Sequence, residues 1–344
     1  MRKRVEMIAV LAAGLLAVLA AHFHFVFFTP PTFSGPGETR IIDIPQGTSF
    51  RVIAESLERN GVVRDSQDFL FAARLLGAQK KVRAGEYEFT TTMTPLAVLR
   101  ALVKGKVRRY FVTIPEGYSA ADIAALLEGE GLADAGEFMA RVRDRSAAAS
   151  FGLKGDSLEG YLFPDSYQFT RGMGAEGVIR AMVERFRSVY YPELDEMARA
   201  RGMGLEKVVT IASIIEKETG DPSERRLISA VLHNRLRKRI RLQSDPTVIY
   251  GIKDFDGNLT RAHLAARTPY NTYTRYGLPP GPIASPGRAS LEAAINPADE
   301  DYLYFVSRND GTHYFSRTLA EHNRAVTKYQ KKRRASTGRS SGKR

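Results

Sequence analysis

The 344-residue chain contains no cysteine. That excludes disulfides and thiolate metal sites and leaves the redox compartment undecided. Its six histidines show no ligand spacing such as HExxH, so neither a metal nor a cofactor is expected from the pattern. Positive charge is abundant overall but scarce in the body. Of the formal +13, the first six residues hold +2 and residues 328–344 hold +8 with no acid, which leaves about +3 for everything between. A nucleic-acid-binding body is therefore not indicated, and nucleic acid is not an expected partner. Gly172 to Gly177 spells a literal GxGxxG. It has no βαβ context with a ribose-binding acid, so a dinucleotide site is rejected. The length suffices for two or three domains with at least one sizeable core.

Charge is also missing from Met7 to Phe28, a run of 22 residues rich in Leu, Ala, Val and Phe. This is long enough to cross a hydrocarbon core of roughly 30 Å. Arg2, Lys3 and Arg4 precede it, which orients the N-terminus to the cytoplasm and the rest outward. A cleaved signal peptide is the competing reading, since small residues occur around Ala17 to Ala21. The apolar run continues through Phe23, Phe25, Phe27 and Phe28, which favours a retained, single-pass anchor. His22 and His24 read as interfacial residues. The expected location is the cell inner (cytoplasmic) membrane, with the body periplasmic.

After a Pro/Gly linker (29–40) comes an internal repeat. Ile44-Pro-Gln-Gly-Thr-Ser aligns with Ile114-Pro-Glu-Gly-Tyr-Ser at an offset of 70, and Ile53/Ile123, Ala54/Ala124, Leu57/Leu127 and Gly61/Gly131 continue the match. Each copy predicts a short strand, a Pro-x-Gly turn, a Ser-capped helix and a closing glycine. Ser119 with Asp122 offers a capping box. The pattern resembles LysM-like modules, which bind N-acetylated glycans; the alternative is two small α/β units serving as a spacer. Val82–Thr90 alternates like a strand, and Met93–Val103 reads as a helix.

The stretch LEKVVTIASIIEKETG, Leu205 to Gly220, is apolar on most sides and predicts a buried helix. Glu216 ends its apolar run, and Val209, Ala212 and Ser213 share its face. Small, mostly apolar neighbours would desolvate this carboxyl and favour the proton-bearing form that a general acid needs. The plain alternative is a solvated charge near a helix end. Glu218, two positions on, points to roughly the opposite side.

The flanking segments are unusual loops. SLEGYLFPDSYQFT (Ser157–Thr170) is aromatic and turn-rich, suited to sugar faces or to a plain core. Ser223–Arg239 is a periodic helix. RLQSDPTVIY (Arg241–Tyr250), TPYNTY (Thr268–Tyr273) and GLPPGPIASPG (Gly277–Gly287) are too polar and proline-bound for a core, yet too rich in Tyr, Asn and Gln for spacers. Tyr302–Ser316 reads as a hairpin turning at Asp310-Gly311, and Thr318 with Glu321 caps the last helix.

Taken in order, the anchor, the IPxGxS repeats, LEGYLFPDSY, ASIIEKET, HNRL, LQSDPTVIYG, YNTY and GLPPGPIASPG resemble the endolytic murein transglycosylases of the YceG-like (MltG) type. The resemblance implies a lyase acting within peptidoglycan glycan strands near the membrane, with Glu216 as the catalytic acid. One carboxyl can protonate the bridging oxygen and then take the proton of the muramoyl C6 hydroxyl, so the carboxylate pair of ordinary glycosidases is not needed. Gln243, Asn271 and Tyr273 are candidates for holding N-acetyl and hydroxyl groups, with Tyr161 and Tyr250 as stacking surfaces. Asp245 is a further candidate, but before Pro246 it can equally start a turn. A two-carboxylate hydrolase and a non-enzymatic wall-binding scaffold remain the rival classes, and partners in the wall-building machinery stay open. The expected fold class is α+β. It comprises a cytoplasmic tail (1–6), an anchor (7–28), the linker (29–40), a LysM-like repeat region (41–150), an α+β catalytic domain (151–329) and a disordered basic tail (330–344).

Overall fold

The computed structural model describes residues 2–32, 35–153 and 155–331, and these divide into two compact units. The first comprises residues 1–111 with 168–173, the second residues 112–167 with 174–344. The chain is mixed α and β with small sheets, as the α+β expectation had it.

In the first unit, α1 (Arg2–Phe28) is a single helix, and its 6–28 portion is long and apolar enough to span a membrane. Val26 and Phe27 at its end are buried against Ala72 and Leu96. Then follow β1 (Thr39–Ile44), α2 (Phe50–Arg59), α3 (Ser66–Leu75), β2 (Gly85–Thr90) and α4 (Pro95–Lys104). β1 and β2 pair antiparallel from Thr39↔Thr90 to Ile44↔Gly85. This register turns Ile42, Ile44, Tyr87 and Phe89 inward onto Ile53, Leu57, Phe69 and Leu102. The Tyr87 hydroxyl is satisfied by donating to the Arg83 carbonyl.

The second unit begins along β3 (Tyr110–Thr113), which pairs with β4 (Ser166–Phe169). Between these strands lie α5 (Ala120–Gly129), α6 (Ala135–Val142) and α7 (Arg145–Ser150). The repeat thus builds the predicted local structure twice. Ser49 and Ser119 cap α2 and α5 through the main-chain N–H three residues on, with the full capping box at Ser119–Asp122. Gly47 and Gly117 turn the chain at φ 84° and 78°, where a side chain would be strained. The two copies do not share a unit: the compact division falls between Phe111 and Val112, inside the 41–150 region.

The second unit continues with α8 (Gly174–Tyr190), α9 (Glu193–Ala200), α10 (Leu205–Glu218), α11 (Arg225–Arg237), α12 (Asp245–Tyr250), α13 (Arg261–Ala265) and α14 (Arg288–Ile295). The hairpin of β5 (Tyr304–Ser307) and β6 (His313–Ser316) and the capped helix α15 (Leu319–Val326) complete it. α10 is the central element, packed by α9, α11, α12 and α14. Residues 208–215 are all buried, and each fully buried Val or Ile contributes roughly 1.5–3 kcal/mol. Of the expected basic tail, Gln330 and Lys331 fall within a π-helical turn, and residues 332–344 lie outside the described residues.

Candidate active site

The two carboxyls at the end of α10 leave the helix in different directions and meet different surroundings. The Glu216 side chain is 6 % exposed, but its neighbours are not the small apolar ones expected. One oxygen lies 3.4 Å from the Arg225 guanidinium, and the other accepts the Gly287 N–H at 2.9 Å. Glu116, from the second IPxGxS segment, approaches the same guanidinium at 3.7 Å. Burial, then the charge of Glu216, pushes the Glu116 carboxyl upward, and Arg225 opposes them. A Cβ at 287 would meet the Glu116 carboxylate, which would have to swing aside to admit it. The neighbouring face of α10 is used to seat a loop: Ser213 donates to the Thr210 carbonyl and accepts the Ile283 N–H. Glu216 is thus the centre of a charged brace, because the start of α11 brings a guanidinium and the 287 loop a backbone N–H, where aliphatic groups were expected.

Glu218, the last residue of α10, enters a cleft of about 400 Å³ lined by Arg235, Gln243, Ser244, Asp245, Tyr273 and Phe305 among others. Burial pushes its carboxyl up to about 7; the Ser244 hydroxyl, His313 and Arg235 pull the other way, and Asp245 adds to the rise. The Ser244 hydroxyl donates to it at 2.5 Å. Arg235 is fixed by donating to the Leu303, Arg241 and Leu242 carbonyls. His313 is held by Glu224, which receives its main-chain N–H at 2.7 Å and sits 2.6 Å from Nδ1.

Three of the expected binding residues come together here. Gln243 adopts φ 51° and is locked by its N–H to the Thr272 carbonyl, a strained conformation of the kind that clusters at functional sites. Asp245 is the first residue of α12 and also accepts the Tyr273 hydroxyl at 2.6 Å, so it both starts a turn of helix and lines the cleft.

Other expectations require correction. Asn271 is fully buried; its amide donates to the carbonyls of His263, Leu264 and Ala266 and accepts the Tyr273 N–H. With its amide spent on the backbone it is a strut under the YNTY turn, not a group that holds substrate. Tyr161 is 2 % exposed and stacks edge-on against Phe186, so it is core and offers no stacking face. Tyr250 lies apart from Glu218, on a second cleft of about 970 Å³, its hydroxyl donating to Glu159 at 3.0 Å.

Two groups escaped the sequence reading. Glu218 did so because its burial comes from residues 242–245 and the β5–β6 hairpin, distant in sequence. Glu159 did so because it sits in a turn. Burial raises it to about 7 against hydrogen bonds from Tyr250 and the Ala120 and Gly160 N–H groups. Among the described residues no group of three or more His, Asp or Glu side chains is placed to hold a metal ion.

The model of the YceG-like family matches residues 42–328. A Bacillus subtilis (strain 168) protein named endolytic murein transglycosylase is 34 % identical over 306 residues, 84 % of this chain and 84 % of that protein. A Streptococcus pneumoniae (R6) protein of the same name is 30 % identical over 324 residues; the match covers 84 % of this chain but 58 % of the pneumococcal protein, less than two thirds of its length. The crystal structure of a yceG-like protein from Listeria monocytogenes aligns with a TM-score of 0.58 and 32 % identity, over 84 % of this chain and 99 % of that one.

Proposed function

The chain belongs to the YceG-like family, and on that premise we propose that it cleaves murein glycan strands endolytically, as a lytic transglycosylase. The acid is Glu218. The observation that carries this assignment is a half-buried carboxyl, pushed up by desolvation to about 7, in the cleft that also gathers Gln243, Asp245 and Tyr273. Glu216, the acid expected from the family resemblance, has both oxygens engaged by Arg225 and Gly287 and serves the fold.

In the reaction, the Glu218 proton passes to the oxygen bridging N-acetylmuramic acid and N-acetylglucosamine as the C1–O bond breaks. The resulting carboxylate takes the proton of the muramoyl C6 hydroxyl as that oxygen bonds to C1, which returns Glu218 to its acid form. The attacking hydroxyl is part of the same ring, so its effective concentration can exceed that of water. Gln243, Asp245 and Tyr273 orient the sugar. The helix α1 anchors the enzyme in the inner membrane with its N-terminus in the cytoplasm and the body in the periplasm. The repeated segments add affinity for the strand.

A second reading is favoured by one observation: Asp245 is a second carboxyl lining the same cleft, as a two-carboxylate hydrolase would require. The products separate the two. Digestion of peptidoglycan in ¹⁸O-water should yield 1,6-anhydromuramoyl ends without solvent oxygen, including at cuts inside strands. Reducing ends carrying ¹⁸O as the main product would replace the transglycosylase with the hydrolase.

A further inference from the structure

At about 400 Å³ the Glu218 cleft lies near the lower end of the volumes that enclose a small ligand. A strand cut internally must be gripped beyond the bond that breaks. The larger cleft, about 970 Å³, lies immediately across α12. The two divide neighbouring residues between them: Glu218 and Asp245 line the smaller, Lys217 and Pro246 the larger.

The larger cleft is a built site. One wall is the start of α5, with Ser119, Ala121 and Asp122; the other is Ile249 and Tyr250 of α12 with Phe255 beyond it. Glu159 joins the walls, accepting the Ala120 N–H at 3.0 Å and the Tyr250 hydroxyl at 3.0 Å. The Tyr250 ring is further braced by Tyr270, 4.7 Å away. Its position is therefore set before any ligand arrives, which lowers the ordering cost of binding. Aromatic faces beside hydroxyl and carboxylate groups suit pyranose rings and their substituents. The acid chemistry at Glu218 uses neither Glu159 nor this cleft, nor the second IPxGxS segment that forms one wall.

We propose that this cleft is a second subsite for the same glycan strand, holding N-acetylated sugars to one side of the scissile bond. The inference rests on the assignment of the Glu218 cleft as the cutting site. It moves the glycan-binding role suggested by the repeat onto the wall of a groove beside the acid.

The chain has no tryptophan, so Phe255→Trp in the full chain gives an emission that reports this cleft alone. A peptide-free glycan oligomer of four disaccharides should shift that emission, whereas one disaccharide should leave it unmoved. In Phe255→Ala, KM for the four-disaccharide oligomer should rise about ten-fold, the scale of one lost aromatic contact, with kcat unchanged. Emission that stays constant at oligomer concentrations saturating turnover overturns the proposal. So does emission that responds to free stem peptide and not to peptide-free glycan. Loss of cleavage in Glu218→Gln tests the cutting site separately, since a normal Glu218→Gln enzyme would remove the premise and not the groove.

Discussion

The two carboxyls on α10 can be separated by exchanging each for its amide. Glu218→Gln keeps the shape of the side chain and lets the Ser244 hydroxyl donate as before, but the amide has no proton to lend. Turnover should fall by at least about 10²-fold, the scale of a positioned general acid. Stability should not fall with it. The wild-type carboxyl is held to about 7 in the fold from an ordinary 4.5, so above neutral pH its ionisation disfavours the folded state by about 3 kcal/mol, a cost the amide removes.

Glu216→Gln should do the reverse. Arg225, 11 % exposed, would retain only Glu116 at 3.7 Å. The loss should be about 1–3 kcal/mol, less than the roughly 3–5 kcal/mol of a fully orphaned buried charge. Turnover per folded molecule should change little. Thermal unfolding and the rate of anhydro-end formation from soluble glycan oligomers, measured on the same preparations, give both axes. Wild-type turnover in Glu218→Gln, or abolished turnover in Glu216→Gln with an unchanged melt, would refute the reasoning and restore Glu216 as the acid.

Because Glu218 must carry its proton to act, kcat/KM should be level below about 7 and fall about ten-fold per pH unit above it; a bell-shaped profile would demand a second titrating group and favour the two-carboxylate hydrolase. Glu159, also raised to about 7, stabilises the fold fully below the unfolded value of 4.5 and ceases to do so as pH rises through 7. Glu159→Gln should therefore lose about 2–3 kcal/mol less than wild type between pH 5 and pH 8 in denaturant titrations, and parallel curves would contradict the burial argument. Asn271→Ala should destabilise by about 2–4 kcal/mol by stripping the 263, 264 and 266 carbonyls of their donor, with KM of the folded enzyme unaltered; a raised KM at an unchanged melt would return Asn271 to the substrate.

Local structure was legible in the sequence wherever the signal was local. The caps at Ser49, Ser119 and Thr318, the turns at Gly47 and Gly117, and the buried helix α10 all follow from residues within one turn of each other. The site was legible by segment and not by residue. LQSDP and YNTY do meet the end of α10, yet which carboxyl they meet depends on where loops 25 to 95 residues away close. Helical spacing put Val209, Ala212 and Ser213 on the face of Glu216, but Ser213 is occupied in seating the Ile283 loop, and the guanidinium beside Glu216 comes from α11. Aromatic residues carried the least positional information: Tyr161 and Tyr250 look alike in sequence, and one is core while the other walls a cleft.

Positions i and i+2 of a helix lie about 200° apart, so Glu216 and Glu218 could not both face the cleft, and the end of α10 decides between them on physical grounds. Glu218 is the final helical residue, where the unsatisfied carbonyl ends of the helix make a carboxylate unfavourable. Desolvation in the cleft acts in the same sense. Both effects hold the proton on the group before reaction. In the proposed reaction, once Glu218 has protonated the departing sugar oxygen, both would raise the energy of the carboxylate left behind and make it ready to take a proton from the C6 hydroxyl. On the proposed reading, an environment that merely disfavours negative charge is enough for one side chain to act first as acid and then as base.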